Sequence, residues 1–249
     1  MKKLVSIITP TYNCAKFIGK TIESVIAQTY TDWELLITDD CSVDDTEQIV
    51  NRYVIVDSRI KYIKLNENMG AAMARNDAIR RASGEYIAFL DSDDLWNKDK
   101  LEKQLKYMNK NKYNITCTSY TQIDEEGKAT NKIFKSKNKT NYNGLLLNCP
   151  VGNSTVMYNV EKLGKFEVPN IRKRNDDALW LKILRKEEYI YGIKDVLMSY
   201  RIRSNSLSRN KLDLVKYHWY LYREIEHLSI IRSLFHICYW GFIKILHLK

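Results

Sequence analysis

From residue 4 to residue 90 short apolar runs alternate with amphipathic segments, and no other feature constrains the fold as strongly. The pattern predicts strands at 4–9, 33–38, 60–64 and 86–90, with helices near 16–29, 43–53 and 70–82. Strand and helix in strict turn is the pattern of βαβ units. Each crossover helix returns the chain to the same edge, so the strands run parallel and helices cover both faces. The expected fold class is therefore α/β, a Rossmann-like sheet whose ligands bind beyond the carboxyl ends of the strands.

Three of those ends carry polar residues: Thr9-Pro10-Thr11-Tyr12-Asn13, Thr38-Asp39-Asp40-Cys41-Ser42, and Asp91-Ser92-Asp93-Asp94 directly after Tyr86-Ile87-Ala88-Phe89-Leu90. Clustered carboxylates at a sheet edge can hold Mg²⁺ or Mn²⁺ between themselves and substrate phosphates. The same acids can equally open the following helix, since Asp favours caps and first turns. No Gly-x-Gly-x-x-Gly follows the first strand and no Gly-Lys-Ser/Thr loop occurs. Phosphates need another holder, and a metal on the Asp91 cluster would supply one.

Beyond residue 98 the pattern changes. Leu101, Leu105 and Met108 have helical spacing, 116–122 reads as a strand, and 124–128 as a turn. The Lys- and Asn-rich stretch 132–143 is expected to be a solvated mobile loop, 154–158 a strand and 178–186 a helix. These segments suggest a domain over 1–206, with a nucleotide-binding half at 1–98 and an acceptor-side half at 99–206, followed by a helical tail at 207–249.

On a helical wheel the stretch from 228 to 249 gathers Ser229, Arg232, Ser233, His236, Lys244 and His247 into one arc, interrupted by Trp240 and Ile243. Ile230, Ile231, Leu234, Phe235, Ile237, Cys238, Phe242, Ile245 and Leu246 lie opposite. The uncharged run 233–243 is too short to span a bilayer. Two readings stay open: a helix lying in the membrane plane through residues 229–249 with its basic residues toward head groups, or a helix packed on its own domain. The four histidines, all in the tail, show no i, i+4 metal pair.

A formal charge of +10 over 249 residues implies an acidic partner, and nine Lys or Arg against three acids in the last 49 residues place part of that charge near the C-terminus. Nucleic acid is not the expected partner, because no helix-turn-helix, zinc finger or RNP signature accompanies the charge. Five widely separated cysteines fit reduced thiols in a cytosolic protein. The apolar stretch after Lys2 and Lys3 ends at Ile8, as a first strand would and a signal peptide would not.

Taken in order, the segments Val5 to Asn13, Asp39-Asp40-Cys41-Ser42-Val43-Asp44, Asn68-Met69-Gly70 with Ala74-Arg75-Asn76, and Asp91-Ser92-Asp93-Asp94 closely resemble the family 2 glycosyltransferases, inverting enzymes of GT-A fold. The resemblance resumes at Gly152-Asn153-Ser154-Thr155 and at Asn175-Asp176-Asp177-Ala178-Leu179-Trp180, and it is nearest to bacterial enzymes of surface polysaccharide and teichuronic acid synthesis. It implies a nucleotide-sugar donor, most simply a UDP-sugar, and a glycan or lipid-linked glycan acceptor at the cytoplasmic face of the membrane.

By the same resemblance Thr9, Pro10 and Tyr12 line the base, Tyr12 by stacking, and Asp39 accepts the uracil imide N–H. Arg75 reaches the diphosphate or the acid cluster, unless it is a structural ion pair. Asp91 and Ser92 belong to the nucleotide site and Asp93 of this DXD motif takes the metal, Mg²⁺ or Mn²⁺, while Asp94 can begin a helix. Relatives place Glu-Asp before Leu-Trp, whereas this chain has Asn175-Asp176-Asp177, so either Asp176 or Asp177 is the general base. Trp180 is either an acceptor platform or a core aromatic. For Ser42 the reading is a helix N-cap with Asp45 three residues on. A nucleotidyltransferase, or a non-catalytic glycan- or lipid-binding protein, are the alternatives.

Overall fold

The computed structural model describes residues 3–203 and 211–245. In chain order the elements are β1 Val5–Thr11, α1 Ala15–Ile26, β2 Trp33–Asp39, α2 Thr46–Val56, β3 Ile60–Lys64, α3 Ala71–Arg81, β4 Tyr86–Phe89, β5 Leu95–Trp96, α4 Lys100–Asn111 and β6 Ile115–Ile123. They continue with β7 Ala129–Phe134, β8 Lys139–Thr140, α5 Tyr142–Leu147, β9 Met157–Asn159, α6 Val160–Leu163, α7 Asn175–Ile183, β10 Ile190–Arg201, α8 Lys211–Tyr220 and α9 Ile230–Ile245. A π-helical turn at Leu221–Ile225 extends α8.

One mixed sheet runs in the order β3-β2-β1-β4-β9-β6-β10-β5, with β7 added beside β6 and β8 beside β10. The strands β3, β2, β1 and β4 are parallel, β9 is antiparallel to both β4 and β6, and β6 and β10 are parallel to each other. Every residue of β1 and β2 is buried, as expected for parallel strands covered on both faces. Successive side chains go to opposite faces. Ile8, Leu36, Ile87 and Phe89 meet α3 and α7 on one face, while Ile7, Leu35, Ile37 and Ala88 meet α1, α2 and α4 on the other. Gly84 stands before β4 because a Cβ there would lie 2.7 Å from the Leu4 carbonyl and the Ser6 nitrogen.

The early βαβ order is as expected from the alternation. Later parts differ. The stretch expected to be a mobile loop at 132–143 contains the end of β7, all of β8 and the start of α5, because short strands pair with β6 and β10 despite their polar residues. Residues 153–155 form a 3-10 turn ahead of β9. The twelve-residue strand β10 has no clean alternation to announce it: its pairing with β6 shifts register between Ile193 and Val196.

The tail packs on the domain. Leu221, Tyr222 and Leu228 join the core that contains Trp180, and Tyr222 donates its hydroxyl proton to the Leu146 carbonyl at 3.0 Å. Glu226 is buried, accepting from Tyr142 and from Arg185 at 2.8 Å. The inward side of α9 is the arc read as polar: Ser233, His236 and Trp240 are buried. The head-group orientation expected for that arc is therefore corrected for Ser233 and His236, whereas His247 and Leu246 lie outside the described residues.

Candidate active site

The parallel strands deliver their polar ends to one edge. At β1 the last strand residue pairs with Asp39 of β2 (Thr11 with Asp39), so the two ends are level. Thr9 and Pro10 lie within β1 and are buried beneath the strand end, while Tyr12 beyond them is about half exposed. Asn13 follows with positive φ (46°), and its side chain and backbone clasp the next loop through Val43 and Ser42.

Asp39 is fully buried. One oxygen accepts from the Ser42 amide (2.8 Å) and hydroxyl (2.6 Å), and the other accepts from Tyr62 at 2.6 Å. Burial and the Asp39 charge push the Tyr62 hydroxyl far up, which keeps it a donor. Ser42 thus braces Asp39 and is not the expected cap; α2 begins only at Thr46, whose amide is met by Asp44 at 3.1 Å. Asp40 accepts from the Met69 and Gly70 amides (2.7 and 2.8 Å) and so fixes the approach to α3.

In the third loop the four residues separate in role. Asp91 accepts from Arg75 at 2.6 Å and from Asn153 at 2.9 Å, and its amide donates to Ser154 at 3.0 Å. The Ser92 carbonyl accepts from Thr21 at 2.9 Å, tying the loop to α1. Asp94 does not begin a helix: it is buried, accepts from the Ser154 hydroxyl at 2.6 Å and from the Arg201 amide at 3.0 Å, and precedes β5. Burial, with the charges of Asp93 and Asp91, holds its carboxyl well above the usual range.

Asp93 remains. Its carboxylate is half-buried, with the Arg203 guanidinium at 3.3 Å, and burial together with the Asp91 charge raises its pKa. A desolvated carboxylate beside a like charge is where a hard cation is favourable. Among the described residues no three acidic, histidine or cysteine side chains converge as a metal cluster. One or two carboxylates completed by substrate phosphates is nonetheless a usual Mg²⁺ donor set, and Asp93 with Asp91 fits it.

Arg75 links this loop to the start of α7. It is buried and, besides Asp91, donates to Asn175 at 2.5 Å at the start of α7. A cavity of about 480 Å³ opens there, lined by Arg75 and Asp91 on one side, Asp176 and Asp177 on another, and Cys149, His218 and Trp240 beyond. Asp177 is buried and paired with Arg174 at 2.9 Å; the same guanidinium lies 2.7 Å from His218 Nε2. Asp176 is half-buried, and burial plus the Asp177 charge push its carboxyl up to about 6 against the opposing charges of Arg75 and Arg174. Trp180 faces away: it is fully buried, edge-on to Phe89 at 5.2 Å, which makes it a core aromatic.

The cavity thus joins Asp91, Arg75, Asp176 and Asp177, while Tyr12, Asp39, Ser92 and Asp93 are not among the residues lining it. Sequence reasoning gave no role to Asn153 and Ser154, and missed Arg174, Arg201, Arg203 and His218. The Gly152-Asn153-Ser154-Thr155 motif was one available signal and the i, i+3 spacing of Arg174 and Asp177 another; Arg201, Arg203 and His218 lie far along the chain from what they touch.

The family model Glycosyl transferase family 2 matches residues 6–168. A Bacillus subtilis (strain 168) protein named for glycosyltransfer in teichuronic acid biosynthesis, TuaG, is 44% identical over 232 residues, covering 93% of this chain and 92% of that protein. The Escherichia coli UDP-Glc:alpha-D-GlcNAc-diphosphoundecaprenol beta-1,3-glucosyltransferase WfgD is 42% identical over 218 residues, 87% of this chain and 84% of its own. Among solved structures, S. aureus TarS 1-349 in complex with UDP-GlcNAc superposes with a TM-score of 0.72 at 22% identity, covering 91% of this chain and 67% of that one. The Pyrobaculum calidifontis mannosyltransferase PcManGT in complex with GDP-Man and Mn²⁺ gives 0.68 at 19% identity, 92% and 66%. The chain spans about two thirds of each of these solved chains, and at such identities they show the fold, GT-A, alone.

Proposed function

The chain belongs to glycosyl transferase family 2, and on that premise we propose that it is an inverting glycosyltransferase moving a sugar from a UDP-sugar to a hydroxyl of a lipid-linked, surface-destined glycan. One observation carries the reading: Asp176 faces the cavity that also holds Asp91 and Arg75, while its neighbour Asp177 is committed to Arg174.

In this reading the acceptor hydroxyl attacks the anomeric carbon opposite the diphosphate. The bond from that carbon to the phosphate oxygen breaks, the electron pair leaves with UDP, and the hydroxyl proton passes to Asp176. A single displacement inverts the centre. A carboxyl pushed up to about 6 is ionised at neutral pH yet basic enough to accept a proton in the transition state. Arg75 holds Asp91 and Asn175 together and so sets the distance between the donor and acceptor sides.

Tyr12 stacks on the base, and Asp39, braced by Ser42, recognises it once Tyr62 yields its hydrogen bond. Asp91 and Ser92 shape the ribose and phosphate side, and Asp93 would hold Mg²⁺ or Mn²⁺. A bound divalent cation would offset the charge developing on the departing diphosphate. Uridine is favoured because WfgD, at 42% identity, is named for UDP-Glc and a diphosphoundecaprenol acceptor. A lipid-linked acceptor puts the enzyme at the periphery of the cytoplasmic membrane face. Among the described residues no helix is long and apolar enough to cross a membrane.

The test is a screen of nucleotide-sugars for UDP or GDP release with Mg²⁺ or Mn²⁺ and a lipid-diphosphate sugar as acceptor. The reading expects UDP release that depends on acceptor and a product of opposite anomeric configuration. A retained configuration, or turnover undiminished in Asp176→Asn, would sink it.

A further inference from the structure

The helix α9 packs the opposite way to an ordinary amphipathic surface helix. Its buried edge is Ser233, His236 and Trp240, and its outer face shows Ile230, Ile231, Leu234, Phe235 and Phe242, from 49% to 82% exposed, together with the exposed Cys238. At 100° per residue these six occupy one arc of about 140°. Large apolar side chains in a contiguous arc on a surface mark an interaction face. Exposed Val215, Trp219 and Tyr220 on α8 extend the apolar and interfacial character of the same helical tail.

Charge chooses among occupants. No acidic residue occurs in α9, Arg232 stands exposed at the edge of its apolar arc, and exposed Lys216 belongs to the neighbouring α8. Apolar residues bordered by cations match a lipid surface with anionic head groups. The inner edge of the same helix matters as much. Trp240 lines the cavity that contains Asp176, its ring 4.6 Å from that of His218 and 5.8 Å from the Arg174 guanidinium.

We propose that the outer face of α9 seats in an anionic lipid surface, so that one helix is at once the membrane contact and a wall of the acceptor cavity. The cavity is thereby held at the height where a lipid-linked sugar is presented. The second part rests on the acceptor class proposed above; the first does not.

Flotation of the full chain with vesicles of phosphatidylcholine plus phosphatidylglycerol tests the contact, using wild type and the double variant Ile231→Glu, Phe235→Glu. Both positions are exposed, so an unchanged thermal melt is expected. Vesicle binding should fall by about tenfold or more. Transfer to a lipid-linked acceptor in vesicles should fall in parallel, while transfer to a short-chain, water-soluble analogue stays as in wild type. A Gln pair at the same positions should lose vesicle binding too, since it removes apolar area without adding negative charge. Equal flotation of wild type and variants, or no flotation of wild type, overturns the proposal. So does a wild-type dimer that the variants split, which would make a second copy the occupant. If no donor releases UDP with the soluble acceptor, the enzymatic reading fails while the flotation result still stands.

Discussion

Arg174 donates to Asp177 across 2.9 Å, and this bond makes two adjacent acids unequal. Arg174 has a left-handed backbone (φ 64°) immediately before α7, and that turn brings its guanidinium back over the first helical turn. Asp177 is buried beneath it, and Asp176 is left facing the cavity.

Substituting the two acids separately should therefore give different failures. Asp176→Asn keeps the shape and removes the proton acceptor, so kcat should drop by about 10² to 10⁴ with an unchanged melting temperature. Asp177→Asn leaves a largely buried guanidinium without its counter-charge, which should cost about 3 kcal/mol of stability and much less in kcat per folded molecule. Steady-state kinetics paired with urea unfolding separates the two outcomes, and the reverse pattern would move the base to Asp177.

The pH profile should carry the same signature. The Asp176 carboxyl is raised to about 6 by burial and the Asp177 charge, so it is protonated, and unable to act as base, below that value. With the lipid-free acceptor, kcat should fall about tenfold per unit as pH drops below the midpoint. Arg174 lowers this pKa, so Arg174→Met should move the midpoint upward. A midpoint unmoved in that variant would show that Arg174 does not influence the base.

A second titration concerns stability. Glu34 is a buried residue of β2 that pairs with Ser6 of β1, and burial alone would raise its pKa. Hydrogen bonds from Lys61 (2.7 Å), Ser6 (2.6 Å) and Ser83 (2.8 Å) outweigh that and hold it at about 2. A depressed carboxylate stabilises the fold above its unfolded pKa, and the contribution vanishes as pH falls from 4.5 toward 2. At neutral pH Glu34→Gln should cost about 2 to 3 kcal/mol in denaturant unfolding, and the gap from wild type should close in that acid window.

These residues also show what a sequence can disclose. The strands β1 to β4 are evident because each is a short apolar run bounded by polar turns, and the acid cluster stands out because it follows such a run. Its supports do not stand out: Ser154 lies 60 residues from Asp94, and Arg201 107 residues, and nothing local marks either contact. The bulge near Ile193 hides β10 by breaking its period. In the tail the wheel shows two faces correctly but not which one turns inward; aromatic contacts of His218 and Tyr222 with Trp240 and His236 decide that.

The same distinction between a free and a committed acid should appear within Asp91-Ser92-Asp93-Asp94. Both oxygens of Asp94 accept bonds from groups that stay in place, the Ser154 hydroxyl and the Arg201 amide. An amide can replace it: in Asp94→Asn the carbonyl still accepts from Arg201, and the new N–H₂ donates to the Ser154 oxygen. Stability and turnover should change little, whereas Asp94→Ala strands two buried polar groups and should cost about 2 to 4 kcal/mol. Among the described residues the Asp93 carboxylate makes no such structural pair beyond Arg203 at 3.3 Å, so Asp93→Asn should fold like wild type. Its loss should fall on the metal: wild-type transfer is expected to stop with a chelator and recover with Mg²⁺ or Mn²⁺, and Asp93→Asn to stay inactive at every metal concentration. Isothermal titration of UDP supplies a reading apart from turnover, with metal strengthening binding in wild type and Asp94→Asn but not in Asp93→Asn. If Asp94→Asn lost the metal dependence and Asp93→Asn kept it, the two acids would have to exchange roles.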